Sequence, residues 1–297
     1  MSSPTDVALP GADRARARRG LAIFFSLVIG FGVVFVGLVV VTGNLLWIFA
    51  YMWSVALSSI VARLVQREGF ADVSFRFGGR RTLIWVVIGL LFPQVVGFVA
   101  FGFAWLTGLA PFVAPPGGFW KGLLVASTIG TAVGVLTAAG EEIGWRGYMV
   151  IRLFDAGVRR PVLVSGVIWG LWHVPLIVTG AIYAEHPSRL AAILVFMVSA
   201  TAAACVLARA RLETGSIWPC IVLHAAYNSV IQSAFWPAAP GTEAFIWVGM
   251  EAGILVAVVL VLLALALCRG RWTLLRAPGR PMSAPEGPGR GGRALLT

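Results

Sequence analysis

Within long apolar stretches of this chain, a few polar side chains stand at spacings that put them on common helix faces. They are Glu141, Glu142 and Arg146 in Glu-Glu-Ile-Gly-Trp-Arg, Trp169 and His173 in Trp-Gly-Leu-Trp-His, and His224 and Asn228 in His-Ala-Ala-Tyr-Asn. Residues at i and i+4 share a helix face. Glu142 therefore meets Arg146, Trp169 flanks His173, and His224 projects beside Asn228. Ionisable groups in apolar spans are costly and mark functional sites by default. One Glu–Arg pair would suffice to join two helices. A second glutamate, two histidines and an asparagine add a base, proton carriers and an oxyanion donor, the set that hydrolysis needs. Glu141 and Glu142 point about 100° apart on a helix. Glu142 is assigned to the ion pair with Arg146 and Glu141 to the chemistry, and the reverse assignment stays open. Glu251, just inside the end of the last apolar run, reads as an interfacial group, and His186 as a surface-loop residue.

The elements that must hold these groups follow from composition. The 297 residues are 59% hydrophobic and 12% charged, about half the charge of a soluble domain, which carries roughly 25%. Runs long enough to span a bilayer, at about 20 residues each, occur at 21–41, 45–62, 83–107, 122–150, 161–180, 190–208, 216–236 and 246–268. The expected fold is all-α: a polytopic membrane bundle of about eight transmembrane helices. One membrane domain, 21–272, lies between a basic tail, 1–20, and a Pro- and Gly-rich tail, 273–297, both read as disordered. The fourth run is too long for one straight span, and Gly130, Gly134 and Gly140 are places for it to bend or begin. The connector 68–81 reads as a surface segment.

A net charge of +11 would suit nucleic acid if it formed a patch. Instead the arginines outside the spans fall on alternate connections, before the first run and after the second, fourth, sixth and eighth. Only Lys121 and Arg189 lie on the other side. That is the positive-inside pattern, so the charge is topological and calls for no nucleic-acid partner. It puts both termini in the cytoplasm of a multi-pass protein of the cell membrane. Trp120, Trp236 and Trp247 at one face and Trp218 and Trp272 at the other suit an interfacial belt. The first run is too long for a cleaved signal and lacks a small-residue cleavage site. Cys205, Cys220 and Cys268 show no CxxC spacing and read as buried thiols. By helix rise, the three polar stripes lie roughly 12–21 Å below the cytoplasmic face.

In their order and spacing the three motifs resemble the CPBP family of intramembrane proteases, which includes type II CAAX prenyl proteases, abortive-infection proteins and proteins like lysostaphin resistance protein A. The family pattern is Glu-Glu-x-x-x-Arg, then Phe-x-x-x-His, then His-x-x-x-Asn or Asp. Here Glu141, Glu142 and Arg146 match the first, and His224 and Asn228 the third. In the second, His173 is kept while Trp169 replaces Phe, which bears on the shape of the substrate pocket. The resemblance covers roughly residues 120–235. It implies peptide hydrolysis inside the bilayer, with Glu141 activating water, His173 assisting, and His224 and Asn228 stabilising the oxyanion. It also leaves two cofactor readings. The metal-free one is preferred; the other is a zinc site of Glu141, His173 and His224. The expected partners are the lipid bilayer and a membrane-associated peptide or protein substrate, prenylated or not. The rival readings are a non-catalytic immunity or scaffolding protein and a small-solute transporter. Nothing in the sequence sets the oligomeric state.

Overall fold

Lipid offers no partner to a backbone N–H or C=O, so each apolar run must satisfy its own, and a helix does so within one segment. The computed structural model describes residues 11–269 and contains helices and turns, with no strand among the described residues. In chain order the helices are α1 (Gly11–Thr42), α2 (Leu46–Gln66), α3 (Arg80–Thr107), the composite α4 (Phe119–Asp155), α5 (Pro161–Thr179), α6 (Arg189–Thr214), α7 (Trp218–Val230), α8 (Thr242–Val248) and α9 (Ile254–Leu267). The first six are long and apolar enough to cross a membrane. The chain is a multi-pass membrane protein.

The expected eight spans are thus six by length and composition, with the last two runs present as shorter segments. The run 216–236 divides into α7, a π-helical turn Ile231–Phe235 and a 3-10 turn ending at Ala238, where Pro237 removes a backbone donor. The run 246–268 is split into α8, a 3-10 turn Met250–Ala252 and α9, with Gly249 and Gly253 at the breaks. At the other end α1 begins well before residue 21. Arg16 donates to the Gln66 and Arg67 carbonyls that end α2, and Gln66 returns a bond to the Arg16 carbonyl at 3.0 Å. Residues 1–10, Trp272 and the expected tail 273–297 lie outside the described residues.

Helices in lipid gain nothing from burying apolar faces against each other, so they associate where small residues let backbones come close. The core of the bundle uses this device three times. On α4, Gly130 and Gly134 face α7, where a Cβ on Gly134 would lie 3.2 Å from the Ala225 carbonyl oxygen. Nearly two turns further on, Gly140 and Gly144 face α2. A Cβ on Gly144 would stand 2.6 Å from the Val55 carbonyl oxygen, and one on Gly140 would be 3.0 Å from Trp53 Cα. On α5, a Cβ on Gly166 would meet Thr201 Cα of α6 at 3.0 Å. Helix α4 is therefore clamped between α2 and α7, while α5 lies along α6.

Two π-helical turns interrupt α4, at Ala126–Gly130 and Trp145–Met149. Each widens the helix and loosens carbonyls from the regular ladder, and neighbouring side chains take them up. Ser229 Oγ donates to the Ala126 carbonyl at 2.8 Å, Arg63 Nη2 to Gly147 at 2.8 Å, and Arg211 Nε to Arg146 at 3.3 Å. At Gly130, one of the three glycines expected to bend or begin this helix, the chain carries a π turn within a continuous helix. The second, at the Glu-Glu-Ile-Gly-Trp-Arg motif, was not foreseen.

Candidate active site

The clamping of α4 decides where its glutamates go. Glu142 turns toward α7 and is fully buried. Its Oε1 accepts from Arg146 Nη1 at 2.7 Å, one turn along α4, and from His224 Nδ1 at 2.8 Å. One carboxylate oxygen thus joins the first and third motifs. The Arg146 guanidinium lies 4.4 Å from the centre of the Trp169 ring, which brings in the second.

Glu141 turns the other way, toward α5. Its Oε2 accepts from Trp169 Nε1 at 2.7 Å and from Trp145 Nε1 at 3.3 Å. Here the departure from the family pattern has a consequence, since phenylalanine at 169 would have no N–H to donate. His173 is held through Nδ1, 2.9 Å from the Trp169 carbonyl. A carbonyl only accepts, so Nδ1 carries the proton and Nε2 keeps its lone pair. The Trp172 ring stacks on Tyr51 at 4.0 Å and stands 4.7 Å from His173, and the Tyr51 hydroxyl donates to the Trp172 carbonyl at 2.6 Å. The histidine ring is thereby boxed on one side.

These groups open onto a cavity of about 470 Å³ whose wall includes Glu141, Trp169, His173, His224 and Asn228. Glu142 and Arg146 lie behind that wall. The structure therefore brings all seven expected residues together, five on the cavity and two supporting it. For the zinc alternative, Glu141, His173 and His224 would have to converge on one point. Among the described residues no three His, Cys, Asp or Glu groups are disposed to hold a metal ion. The residues as placed do not fit that ligand set, and no step below is routed through a metal.

A second cluster of charges closes the end of the bundle beneath the site. Asp72, in the connector expected to lie on the surface, pairs with Arg63 and, at 2.9 Å, with Arg152. Arg152 also holds Glu68 at 2.7 Å and Asp155 at 3.0 Å. The Ser74 carbonyl accepts from Ile217 N at 3.1 Å, and the Phe75 carbonyl from Trp218 Nε1 at 2.7 Å. The connector is a strap pinned to α2, α4 and α7. Trp218, expected in an interfacial belt, is one of the pins.

Residues 120–230 match the Rce1-like family of type II CAAX prenyl endopeptidases. The matched stretch holds Glu141, Glu142, Arg146, Trp169, His173, His224 and Asn228, and it agrees with the resemblance carried by the motifs. An Rce1-like match implies a protease of the CAAX type working in a membrane. No curated protein matches the chain.

Beyond the Rce1-like motifs, the cavity wall carries polar residues that spacing alone did not assign to it. Gln232 continues the His224, Asn228 series by one more turn, a spacing that could have identified it. Glu251, expected at the lipid interface, lies on the cavity wall, where it accepts from the Tyr183 hydroxyl at 2.5 Å and from Gln232 Nε2 at 3.4 Å. Trp236, expected in the belt, also lines the cavity. His186 is buried, packed on Phe245 with ring centres 5.7 Å apart. The three cysteines are free thiols.

Proposed function

We propose that the chain is an intramembrane endopeptidase that hydrolyses membrane-associated peptides in this cavity, with both termini in the cytoplasm. The observation that carries the reading is the division of labour between the glutamates. Glu142 is consumed by Arg146 and His224 behind the wall, while Glu141 faces the cavity with only indole donors on it.

In this reading Glu141 takes a proton from water as the water oxygen attacks the scissile carbonyl carbon. His173, with its proton on Nδ1, offers the Nε2 lone pair to orient the same water. The carbonyl oxygen becomes an oxyanion. Asn228 donates to it through its amide, and His224, held through Nδ1 on the carboxylate that it shares with Arg146, donates through Nε2–H in its doubly protonated form. Glu141 then passes its proton to the amide nitrogen, the C–N bond breaks, and an amine and a carboxylic acid leave. The water-poor surroundings strengthen each donor over its value in bulk solvent.

The test is turnover of membrane-inserted peptides by purified protein. Glu141→Gln should lose about 10²- to 10⁴-fold in rate while still giving a cooperative melt. Cleavage by Glu141→Gln at the wild-type rate would overturn the mechanism, and substrate flux without cleavage would favour transport. Metal analysis of the active protein with chelator treatment decides the zinc alternative, since the metal-free reading requires activity without bound metal.

A further inference from the structure

The cavity does not end at His173. The His173 ring is 4.8 Å from Phe196, and Phe196 is 5.7 Å from Tyr183, whose hydroxyl donates to Glu251. Tyr183 precedes α6, whereas Arg211 near the other end of α6 bonds the strap through the Asp72 carbonyl. Glu251 therefore marks the end of the cavity opposite the strap. Two features there have no part in hydrolysis. Among the described residues no lysine or arginine forms a salt bridge with Glu251, and none lines the cavity, whose wall also carries Glu185. The Tyr227 hydroxyl, on the same wall, is buried and without a hydrogen-bond partner.

An unneutralised carboxylate among aromatic faces is the arrangement that receives an organic cation. The carboxylate supplies charge, and Tyr183, Tyr227 and Trp236, which line the same cavity, supply aromatic rings. Tyr183 and Met250, which flank this corner, both hold left-handed backbone conformations, with φ of 54° and 49°. Such strain persists where surrounding contacts over-determine it, and it clusters at ligand clamps.

The geometry points to a subsite at Glu251 for a primary ammonium group of the substrate, either a lysine side chain or a free N-terminus. The assignment rests on reading the cavity as the peptide site of a protease. The two ring contacts put Tyr183 within about 11 Å of His173, roughly three residues of extended peptide at ~3.3 Å each. The cation therefore belongs within about three residues of the scissile bond. A substrate carboxylate at this end would meet like charge.

The test measures binding, so that it does not depend on turnover. Full-length Glu141→Gln protein in lipid nanodiscs is titrated with fluorescent peptides that differ only in lysine, norleucine or glutamate at that distance. A second pair has free or acetylated N-termini. The lysine or the free-amine peptide should bind at least tenfold tighter than its neutral counterpart, and the pair that does so identifies the source of the ammonium. Adding Glu251→Gln should bring that ratio close to one, and Gln232→Glu, which places a second carboxylate beside Glu251, should raise it. A ratio near one in the Glu251-intact protein, or one that these changes leave untouched, overturns the subsite. Selective binding by wild-type protein without any cleavage would sink the protease reading and leave the subsite standing.

Discussion

Replacing Glu142 by glutamine tests whether the buried carboxylate is a structural counter-charge or a member of the reacting set. Its Oε1 serves both Arg146 at 2.7 Å and His224 at 2.8 Å, and all three side chains are buried. Removing one partner of a buried ion pair costs about 3–5 kcal/mol, mainly because the other charge is left uncompensated. Glutamine keeps one carbonyl oxygen for either Arg146 or His224, so the loss should lie near 3 kcal/mol, the low end of that range. At roughly 2–4 °C per kcal/mol the melting temperature should fall by about 6–12 °C. The assay is thermal unfolding of purified protein in nanodiscs followed by tryptophan fluorescence, with Arg146→Met and the double variant alongside. Because the double variant no longer buries a lone charge from this pair, it should be much less destabilised than the two single losses added together. A Glu142→Gln protein that melts within a degree of wild type, or strict additivity in the cycle, would refute the counter-charge role. Loss of turnover with unchanged stability would instead exchange the roles of Glu141 and Glu142.

Three further outcomes follow from other parts of the fold. Gly144→Ala places a Cβ 2.6 Å from the Val55 carbonyl, so α2 and α4 must part by roughly 0.8 Å to reach ordinary contact. It should cost about 1–3 kcal/mol and lower turnover, whereas Gly102→Ala, with open space around it, should be neutral or stabilising in the same melts. Trp169→Phe keeps a ring under Arg146 but removes the 2.7 Å indole bond to Glu141. It should lower stability by about 1.5–3 kcal/mol, the range for a bond to a charged group, and denaturation that matches wild type would show that this N–H does not hold Glu141. Burial would raise the Asp72 carboxyl, but Arg152 and Arg63 outweigh it and hold the group below its ordinary value of 3.8. That contribution is full above pH 3.8 and fades as pH falls through the lower folded value. Asp72→Asn should thus lower the melting temperature at pH 7, and its gap from wild type should close below pH 3.8.

How much of this was legible in the sequence differs from group to group, for physical reasons. The i, i+4 pairs could be read because a lipid-buried helix has a fixed period and few ways to satisfy a charge, so Glu142 with Arg146 and His224 beside Asn228 follow from spacing alone. The link from Glu142 to His224 could not be read, because it depends on how closely α4 approaches α7, and that distance is set by glycines whose facing residues lie far away in the chain. The π turn at Trp145–Met149 was hidden for a similar reason. Its cost is met by Arg63 and Arg211, which on composition looked like topological charge. That Glu251 faces the cavity could not be read either, because the chain breaks at Gly249 and Gly253 and the turn between them sets its direction.

The same contacts explain why neighbouring glutamates meet opposite surroundings. With Gly134 against Ala225 and Gly144 against Val55, α4 cannot rotate without driving backbone into backbone. Its π turn is fixed as well, since Arg63 and Arg211 hold the Gly147 and Arg146 carbonyls. Of two adjacent residues on a helix so fixed, one must face α7 and the other α5. The one facing α7 meets two cationic or N–H donors and becomes part of the scaffold. The one facing α5 meets two indoles and the cavity, and it keeps an oxygen for the reaction. Arg63 thus acts on the site from a distance, because the strap, the π turn and the orientation of Glu141 form one mechanical unit. Loosening the arginine that braces the π turn should misorient a carboxylate it never touches.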